Sequence, residues 1–204
     1  MEHLFLTDTI ARCLEIFATW SFIAYLVLQI MHSRYMWYVY IPSCIAAALN
    51  FFDSATWAFA SLNIYYVVMG VVGIVSWRRD SGKLDGSQES GKGAIPLNRL
   101  DAKTFAISLA MAAAGIPALF FLLRALDDPN PFLDAFTTTL SVIGTWWLTK
   151  SYIQQWWIWI VADVFAIWMN VNLGNGWFVF QFAMCILSSF VGLWNWSRNG
   201  KYVS

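Results

Sequence analysis

The chain alternates long apolar runs with short polar breaks. Runs near the length of a membrane-spanning helix lie at residues 10–32, 35–52, 55–77, 104–125, 131–149, 154–172 and 176–196. A helix of about 17–25 apolar residues spans the hydrocarbon core of a bilayer. The runs are too long and too evenly apolar for the two-residue alternation of a membrane β-barrel. The pattern therefore predicts an all-α membrane protein with seven transmembrane helices.

One polar segment interrupts this pattern. Residues 78–103 are rich in glycine, serine and charged side chains, a composition typical of a solvated linker. The linker separates a first group of three helices, at residues 1–77, from a single linking helix at 104–126. A second group of three helices follows at 129–198, and a short tail occupies 199–204. The predicted layout is thus three helices, one helix and three helices (3-1-3).

The two groups of three helices resemble each other in sequence. Four pairs of identical residues share one offset of 119 positions: Trp37 and Trp156, Gly73 and Gly192, Trp77 and Trp196, Arg79 and Arg198. We therefore interpret the two groups as three-helix repeats. Because three is an odd number, the single linking helix restores the direction of the second copy. The two repeats are then parallel in the membrane, as in one class of transporters.

The basic residues predict the orientation in the membrane. If the linker at 78–103 is cytoplasmic, alternation of the spans places ten of the twelve Lys and Arg residues on the cytoplasmic side. The two exceptions are Arg12 and Arg124. Cytoplasmic loops carry an excess of basic residues. We therefore predict an N-terminus outside and a C-terminal tail inside.

Composition agrees with a lipid bilayer as the main surroundings. Hydrophobic residues make up 59% of the 204 residues, charged residues only 12%, and the mean hydropathy is +0.57. A soluble domain of this size needs about twice that share of charge. The net charge of zero gives no indication of nucleic-acid binding. The three cysteines lie far apart in apolar runs, which is typical of buried small side chains rather than of a metal site.

Candidate chemistry concentrates at residues 153–163, which read IQQWWIWIVAD. On a helix, Trp156, Trp159, Asp163 and Asn170 share one face. An acid at the middle of a membrane costs about 2.5–3.5 kcal/mol on insertion scales, so it is expected to face a protein interior or a wet cavity and to carry function. Tryptophan rings stack on flat solutes and attract cations. Two alternatives stay open: an interfacial aromatic belt for Trp156 and Trp157, and a structural hydrogen bond for Asp163.

Other helices supply polar side chains that can line the same cavity. Asn63 and Tyr66 share a face of the third helix, and Gln181 lies on the seventh. They complete the predicted substrate-binding set, whose other members are Trp156, Trp159, Asp163 and Asn170. Of the two histidines, His3 lies near the N-terminus and His32 in a predicted turn, and no HExxH or GxSxG motif occurs. We therefore expect neither an enzyme nor a metal or cofactor site.

The Trp-x-x-Trp-x-x-x-Asp pattern that ends at Asp163, preceded by TKSYIQQW at 149–156, resembles the sixth helix of the PnuC family of vitamin transporters. The 3-1-3 layout with a cytoplasmic linker is similar to that family too, which shares its fold with the SWEET sugar transporters. The resemblance covers residues 15–198. It implies facilitated diffusion of a B-type vitamin, typically nicotinamide riboside, across the bacterial cytoplasmic membrane. It also implies phosphorylation inside the cell as the driving sink, no cofactor, and a homotrimer.

The resemblance carries over to particular positions. Trp159 and Asp163 match positions that line the family's substrate site, and Asn63 stands where the family usually has Gln. Nicotinamide riboside members usually have Asn at the position of Asp163, whereas Asp resembles the thiamine-type branch. The third helix reads Gly70-Val-Val-Gly-Ile74 where the family usually has Asn-Ile-Tyr-Gly-Trp. The alternatives are a nucleoside or sugar transporter of the same fold, and a non-transporting membrane receptor.

Overall fold

A computed structural model of the chain describes residues 7–53, 57–85, 95–174 and 176–203. Most of these residues lie in seven helices: α1 (Asp8–Ile30), α2 (Tyr35–Asp53), α3 (Trp57–Asp85), α4 (Ala102–Ala125), α5 (Pro131–Thr149), α6 (Gln155–Asn172) and α7 (Gly176–Asn199). Two three-residue strands, β1 (Ile95–Leu97) and β2 (Gly200–Tyr202), form one parallel pair. Apart from the end of α3, the helices begin and end within three residues of the predicted apolar runs.

Five helices of the described chain are long and apolar enough to span a bilayer. They are α1, α2, α4, the Ala60–Asp80 part of α3 and the Phe178–Asn199 part of α7. Helices α5 and α6 have 19 and 18 residues, but the mean hydropathy of their 18-residue windows is below that of the five spans. Threonines and serine lower the hydropathy of α5, and Gln155, Asp163 and Asn170 lower that of α6. Two of the four polar side chains of α6, Asp163 and Asn170, are among those predicted to bind a substrate, and the other two are Gln155 and Asn172.

Helices α1–α3 form a compact unit in which α2 packs against both α1 and α3. Trp37, Tyr40 and Cys44 are buried on α2 at helical spacing. The Trp37 ring meets the Trp77 ring of α3 nearly edge-to-face, with 5.2 Å between ring centroids. Gly73 lies one turn before Trp77, and a Cβ atom there would overlap the Trp37 ring. The absence of a side chain at Gly73 is therefore what lets α2 and α3 approach.

Helices α4–α7 form a second compact unit in which α5 packs against α4 and α6, and α6 against α7. Its main tryptophan contact has the same form as that of the first unit. The Trp156 ring meets the Trp196 ring nearly edge-to-face, with 5.3 Å between centroids. A Cβ atom on Gly192 would overlap the Trp156 ring. Each of these residues lies 119 positions after its counterpart in the first unit.

Helix α4 is part of the second unit. The indole N–H of Trp147 on α5 donates to the Ser108 hydroxyl of α4 at 2.9 Å. That hydroxyl in turn donates to the Thr104 carbonyl at 2.8 Å. Ile143, Trp147 and Tyr152 form a core cluster against which Met111 of α4 packs. The predicted linking helix is thus tied to the second group of three helices by polar and apolar contacts.

The turn before α2 has the same backbone form as the turn before α6. His32 and Ser151 both have positive φ angles, of 50° and 52°. Each backbone N–H donates at 3.0 Å to the carbonyl three residues earlier, which belongs to Gln29 and Leu148 respectively. These positions again differ by 119. Positive φ is uncommon outside glycine, so the shared turn is a specific feature that residue identities alone do not reveal.

The predicted linker at 78–103 differs from the structure in two places. Helix α3 continues to Asp85 instead of ending at residue 77. Strand β1 pairs with β2, which lies in the predicted tail, and this pair is the departure from an all-α chain within the described residues. Leu97 is 2% exposed because the tail covers it at Gly200. The apolar segment Ile95–Leu97 of the polar linker is therefore buried by its pairing with the C-terminal tail. The remaining linker residues, 86–94, lie outside the described ranges.

The buried position of His32 predicts that the stability of the protein depends on pH. The His32 and Trp77 rings are stacked, with centroids 3.8 Å apart and planes 5° apart. Burial lowers the pKa of His32 to about 3. Because an unfolded histidine titrates near 6.5, the contribution of neutral His32 to the free energy of unfolding is complete above pH 6.5. It is lost as the pH falls from 6.5 towards 3.

We therefore expect detergent-solubilised protein to lose about 1–2 kcal/mol of stability between pH 7 and pH 5 through this group. His32→Asn removes the titrating ring, and Asn tolerates a positive φ. Thermal unfolding midpoints at the two pH values measure the effect. An unchanged pH dependence in the variant would contradict this role of His32.

Candidate functional site

Helix α6 has one exposed and one buried face. The exposed positions are apolar and follow the helical period: Trp157, Val161, Val164 and Trp168. The buried positions lie opposite and include the polar residues: Trp156, Ala162, Asp163, Ala166 and Asn170. A helix whose outer surface is apolar and whose inner surface is polar suits a lipid exterior and a protein interior. The expected placement of Trp156, Asp163 and Asn170 on one face is observed.

Asp163 lies at the middle of this buried face and is 7% exposed. Cys185 of α7 lies near Asp163. Within the described ranges no basic side chain pairs with Asp163. The position 119 residues earlier is Cys44, which is buried on α2. The two units therefore share a packing pattern but differ in chemistry at this point.

Trp159 lies one turn before Asp163 and packs against Gly144 of α5. A Cβ atom on Gly144 would lie 3.3 Å from Cε2 and 3.4 Å from Cζ2 of the indole. The indole Nε1–H is buried and has no acceptor among the described residues. A buried donor without a partner costs roughly 1–3 kcal/mol. A ligand oxygen that accepted this hydrogen bond would remove that cost.

The other predicted residues of the second unit have different surroundings. Asn170 is buried, and its Nδ2 donates to the Ala166 carbonyl of its own helix at 2.8 Å. The Asn170 amide is thus partly used within α6. Gln181 is half-buried on α7. Trp159, Asp163, Asn170 and Gln181 all belong to the second unit.

The two predicted residues of the third helix belong to the first unit. Asn63 and Tyr66 are both half-buried on α3. The Tyr66 ring lies 6.1 Å from that of Tyr40 on α2 and 5.8 Å from that of Tyr65, measured between centroids. Tyr66 therefore has two aromatic neighbours within its own unit.

Trp156 has a packing position. Its ring lies against Gly192 and Trp196 and is 1% exposed, so α7 covers the surface that was predicted to meet a substrate. We therefore assign Trp156 to helix packing. An interfacial belt does not describe it either, because Trp157, at 54% exposed, is the outward-facing member of the pair.

Two residues near the site were not singled out from the sequence, Gly144 and Cys185. A glycine in an apolar helix indicates close helix packing, so the sequence could have singled out Gly144. It could not show that Gly144 packs against Trp159, because Trp159 lies on another helix. The sequence offered no comparable reason to single out Cys185. The described residues contain no group of three His, Cys, Asp or Glu side chains that could hold a metal ion.

Comparisons with known proteins agree with this geometry. The nicotinamide riboside transporter PnuC of Neisseria mucosa is 23% identical over 141 residues, which are 66% of this chain and 52% of that protein. The chain thus spans about half the length of this curated relative. The crystal structure of the vitamin B3 transporter PnuC has a similar fold, with a TM-score of 0.56 and 20% identity over 95% of this chain and 92% of that chain.

A sequence family also matches most of the chain. Residues 12–198 match the family described as nicotinamide mononucleotide transporter. This description agrees with the prediction of a transporter rather than an enzyme, and with the resemblance seen at residues 149–163. The chain therefore belongs to the nicotinamide mononucleotide transporter family, the family of the PnuC proteins.

Proposed function

We propose that the chain carries a B-type vitamin with a cationic aromatic ring across the bacterial cytoplasmic membrane by facilitated diffusion. The observation that carries the proposal is the buried carboxylate of Asp163 one helical turn from Trp159, with no basic partner in the described ranges. A carboxylate attracts a cationic ring, and the face of a tryptophan stacks on it. The free Nε1–H of Trp159 supplies a hydrogen-bond donor for an oxygen or nitrogen of the solute.

The charges of these helices favour a vitamin over its phosphorylated form. Helices α5 and α6 contain no Lys or Arg, and α7 contains only Arg198, in its last turn. A phosphate group of nearly two negative charges binds best to Arg or Lys, and here it would meet the carboxylate of Asp163. Phosphorylation inside the cell would therefore keep the product from leaving and drive net import.

Nicotinamide riboside is the first candidate and thiamine the second. The matched family is named for nicotinamide mononucleotide, the curated relative for nicotinamide riboside and the solved structure for vitamin B3, and the charges of α5–α7 favour the unphosphorylated riboside among these. Asp163 is the observation that favours thiamine, because nicotinamide riboside members of this family usually have Asn there. Both solutes carry a cationic aromatic ring that suits Trp159 and Asp163. Asn63, Tyr66, Asn170 and Gln181 stay in the proposed substrate-binding set.

The proposed architecture is two parallel three-helix repeats in a 3-1-3 layout, with the N-terminus outside and the C-terminus inside. The recurrence of one Trp–Gly–Trp contact and one positive-φ turn at the same offset supports a duplication. The distribution of basic residues supports the orientation. A homotrimer is the proposed assembly, on the resemblance alone.

Titration of the purified protein tests this proposal. Binding of nicotinamide riboside and of thiamine is followed in detergent by quenching of tryptophan fluorescence. We expect saturable binding of at least one of them, and we expect Asp163→Asn to keep the fold but to shift the ratio of the two affinities by about tenfold, or 1.4 kcal/mol. Binding of a nucleoside or sugar in place of both vitamins would contradict the proposal. Unchanged affinities in Asp163→Asn would remove Asp163 from the site.

A further inference from the structure

We propose that Gly144 is a positioning residue for substrate binding: its missing side chain sets how the Trp159 ring is held and where the Trp159 N–H points. The inference rests on the proposed function, because it takes Trp159 as a group that contacts the substrate. Gly144 is buried on α5, and Trp159 belongs to α6 of the same unit.

A side chain at Gly144 would be crowded by its neighbours but would not overlap them. A Cβ atom there would lie 3.2 Å from Cγ2 of Ile158, and 3.3 Å and 3.4 Å from Cε2 and Cζ2 of Trp159. Carbon atoms attract best at about 3.5–4.0 Å. An added methyl group would therefore push the indole by a few tenths of an ångström without needing to separate the two helices.

The atoms of the Trp159 ring that lie nearest Gly144 are next to the indole nitrogen, which is the hydrogen-bond donor. Cε2 is bonded to Nε1, so a shift of Cε2 moves the N–H that is offered to a ligand. That N–H is buried and has no acceptor within the described ranges. Gly73 and Gly192 also meet the Cε2 atoms of Trp37 and Trp156, whose N–H groups are likewise buried without an acceptor in the described ranges. Those two rings are fully buried in helix packing, whereas Trp159 is half-buried and can be reached by a ligand.

Helix α5 is also held by contacts with α4, so we expect the ring to move rather than the helix. The Trp147 side chain, one turn after Gly144, donates to Ser108 of α4 at 2.9 Å. Ile143 lies in the core cluster with Trp147. A shift of α5 away from α6 would disturb these contacts. The Trp159 ring has the lower resistance, because its other neighbours leave it partly exposed.

A matched pair of variants tests the proposal by calorimetric titration of the full-length protein with nicotinamide riboside and thiamine. Gly144→Ala should weaken binding of the vitamin that the wild type binds by about threefold to tenfold, which is part of the value of one ring–cation contact. Gly115→Ala is the control. Its Cβ atom would lie 3.3 Å from Cγ2 and 3.4 Å from Oγ1 of Thr139, an equally close contact between α4 and α5. We expect the control to bind like the wild type, with a similar unfolding midpoint for both variants.

A double variant separates positioning from a general structural effect. In a Trp159→Ala background, Gly144→Ala should cause no further loss of affinity, because the ring that it displaces is gone. An equal loss in both backgrounds would overturn the proposal. If Gly144→Ala alone does not fold, the pair Gly144→Ala with Trp159→Phe decides, since the smaller ring leaves room for the methyl group. That pair should bind like Trp159→Phe, and weaker binding would overturn the proposal.

The role of Gly144 and the proposed function can be contradicted separately. A wild type that binds a vitamin while Gly144→Ala binds it equally well overturns the positioning role and leaves the proposed function intact. A wild type that binds neither vitamin overturns the proposed function, and the role of Gly144 with it.

Discussion

Trp156→Ala is expected to destabilise the protein by about 3–5 kcal/mol, the usual cost of removing a large ring from a closed core. The ring is 1% exposed, lies against Gly192, and meets Trp196 edge-to-face. Neither neighbour can fill the space, because Gly192 has no side chain and the Trp196 ring is itself fully buried. The thermal unfolding midpoint in detergent measures the loss.

Trp157→Ala is the matched control for this prediction. Trp157 is the next residue on the same helix and is 54% exposed, so its removal leaves no cavity. We expect a small change in the midpoint. Trp37→Ala should cost about as much as Trp156→Ala, because the Trp37 contact with Gly73 and Trp77 has the same geometry. Equal effects for Trp156→Ala and Trp157→Ala would contradict the packing role of Trp156.

Trp159→Ala is expected to weaken vitamin binding by about 1–3 kcal/mol, or roughly fivefold to 150-fold, from lost stacking and lost apolar contact. Trp159 is half-buried, lies one turn from Asp163, and carries an indole N–H without an acceptor among the described residues. The fold should persist, because the ring is outside the Trp156 contact. Calorimetric titration of the variant with nicotinamide riboside and thiamine measures the change.

The control for the binding prediction is Trp168→Ala, on the exposed face of α6. Trp168 is 58% exposed, and the helix separates it from the buried polar face. Its removal should leave the dissociation constant unchanged. If Trp159→Ala binds as the wild type does, Trp159 does not contact the solute, and the assignment of the α6 face to substrate binding fails.

Helix positions were predictable because apolar runs and polar breaks are local signals. The end of α3 was not, because the helix continues from the apolar run into a charged segment. Arg78, Arg79 and Lys83 have ordinary helix propensity, and extending an existing helix is far easier than starting one. A change from apolar to charged residues therefore marks the end of a span but not the end of a helix.

The β1–β2 pair and the turn at Ser151 depend on contacts that a local pattern does not contain. Residues Ile95–Leu97 are too few to show strand periodicity, and their partners lie about a hundred positions later. Similarly, the positive φ of Ser151 comes from the geometry of the turn between α5 and α6, because serine itself does not favour it.

The sequence predicted which candidate residues share a face of α6, but it did not predict their contacts with other helices. Helical periodicity places Trp156, Trp159 and Asp163 on one face of α6. It does not tell that a glycine of α7 covers Trp156, or that a glycine of α5 supports Trp159. The division between a packing tryptophan and a binding tryptophan therefore comes from neighbouring helices.

The measurement that tests the central claim most directly is exchange of labelled vitamin in proteoliposomes. Vesicles that contain the purified protein are preloaded with unlabelled nicotinamide riboside or thiamine and placed in labelled vitamin, with no ion gradient. Facilitated diffusion predicts that label accumulates inside for the vitamin that binds, that nicotinamide mononucleotide does not exchange, and that Trp159→Ala slows the exchange. Binding without any flux would indicate a receptor, and flux only under a proton gradient would indicate coupled transport. Either result would contradict the account.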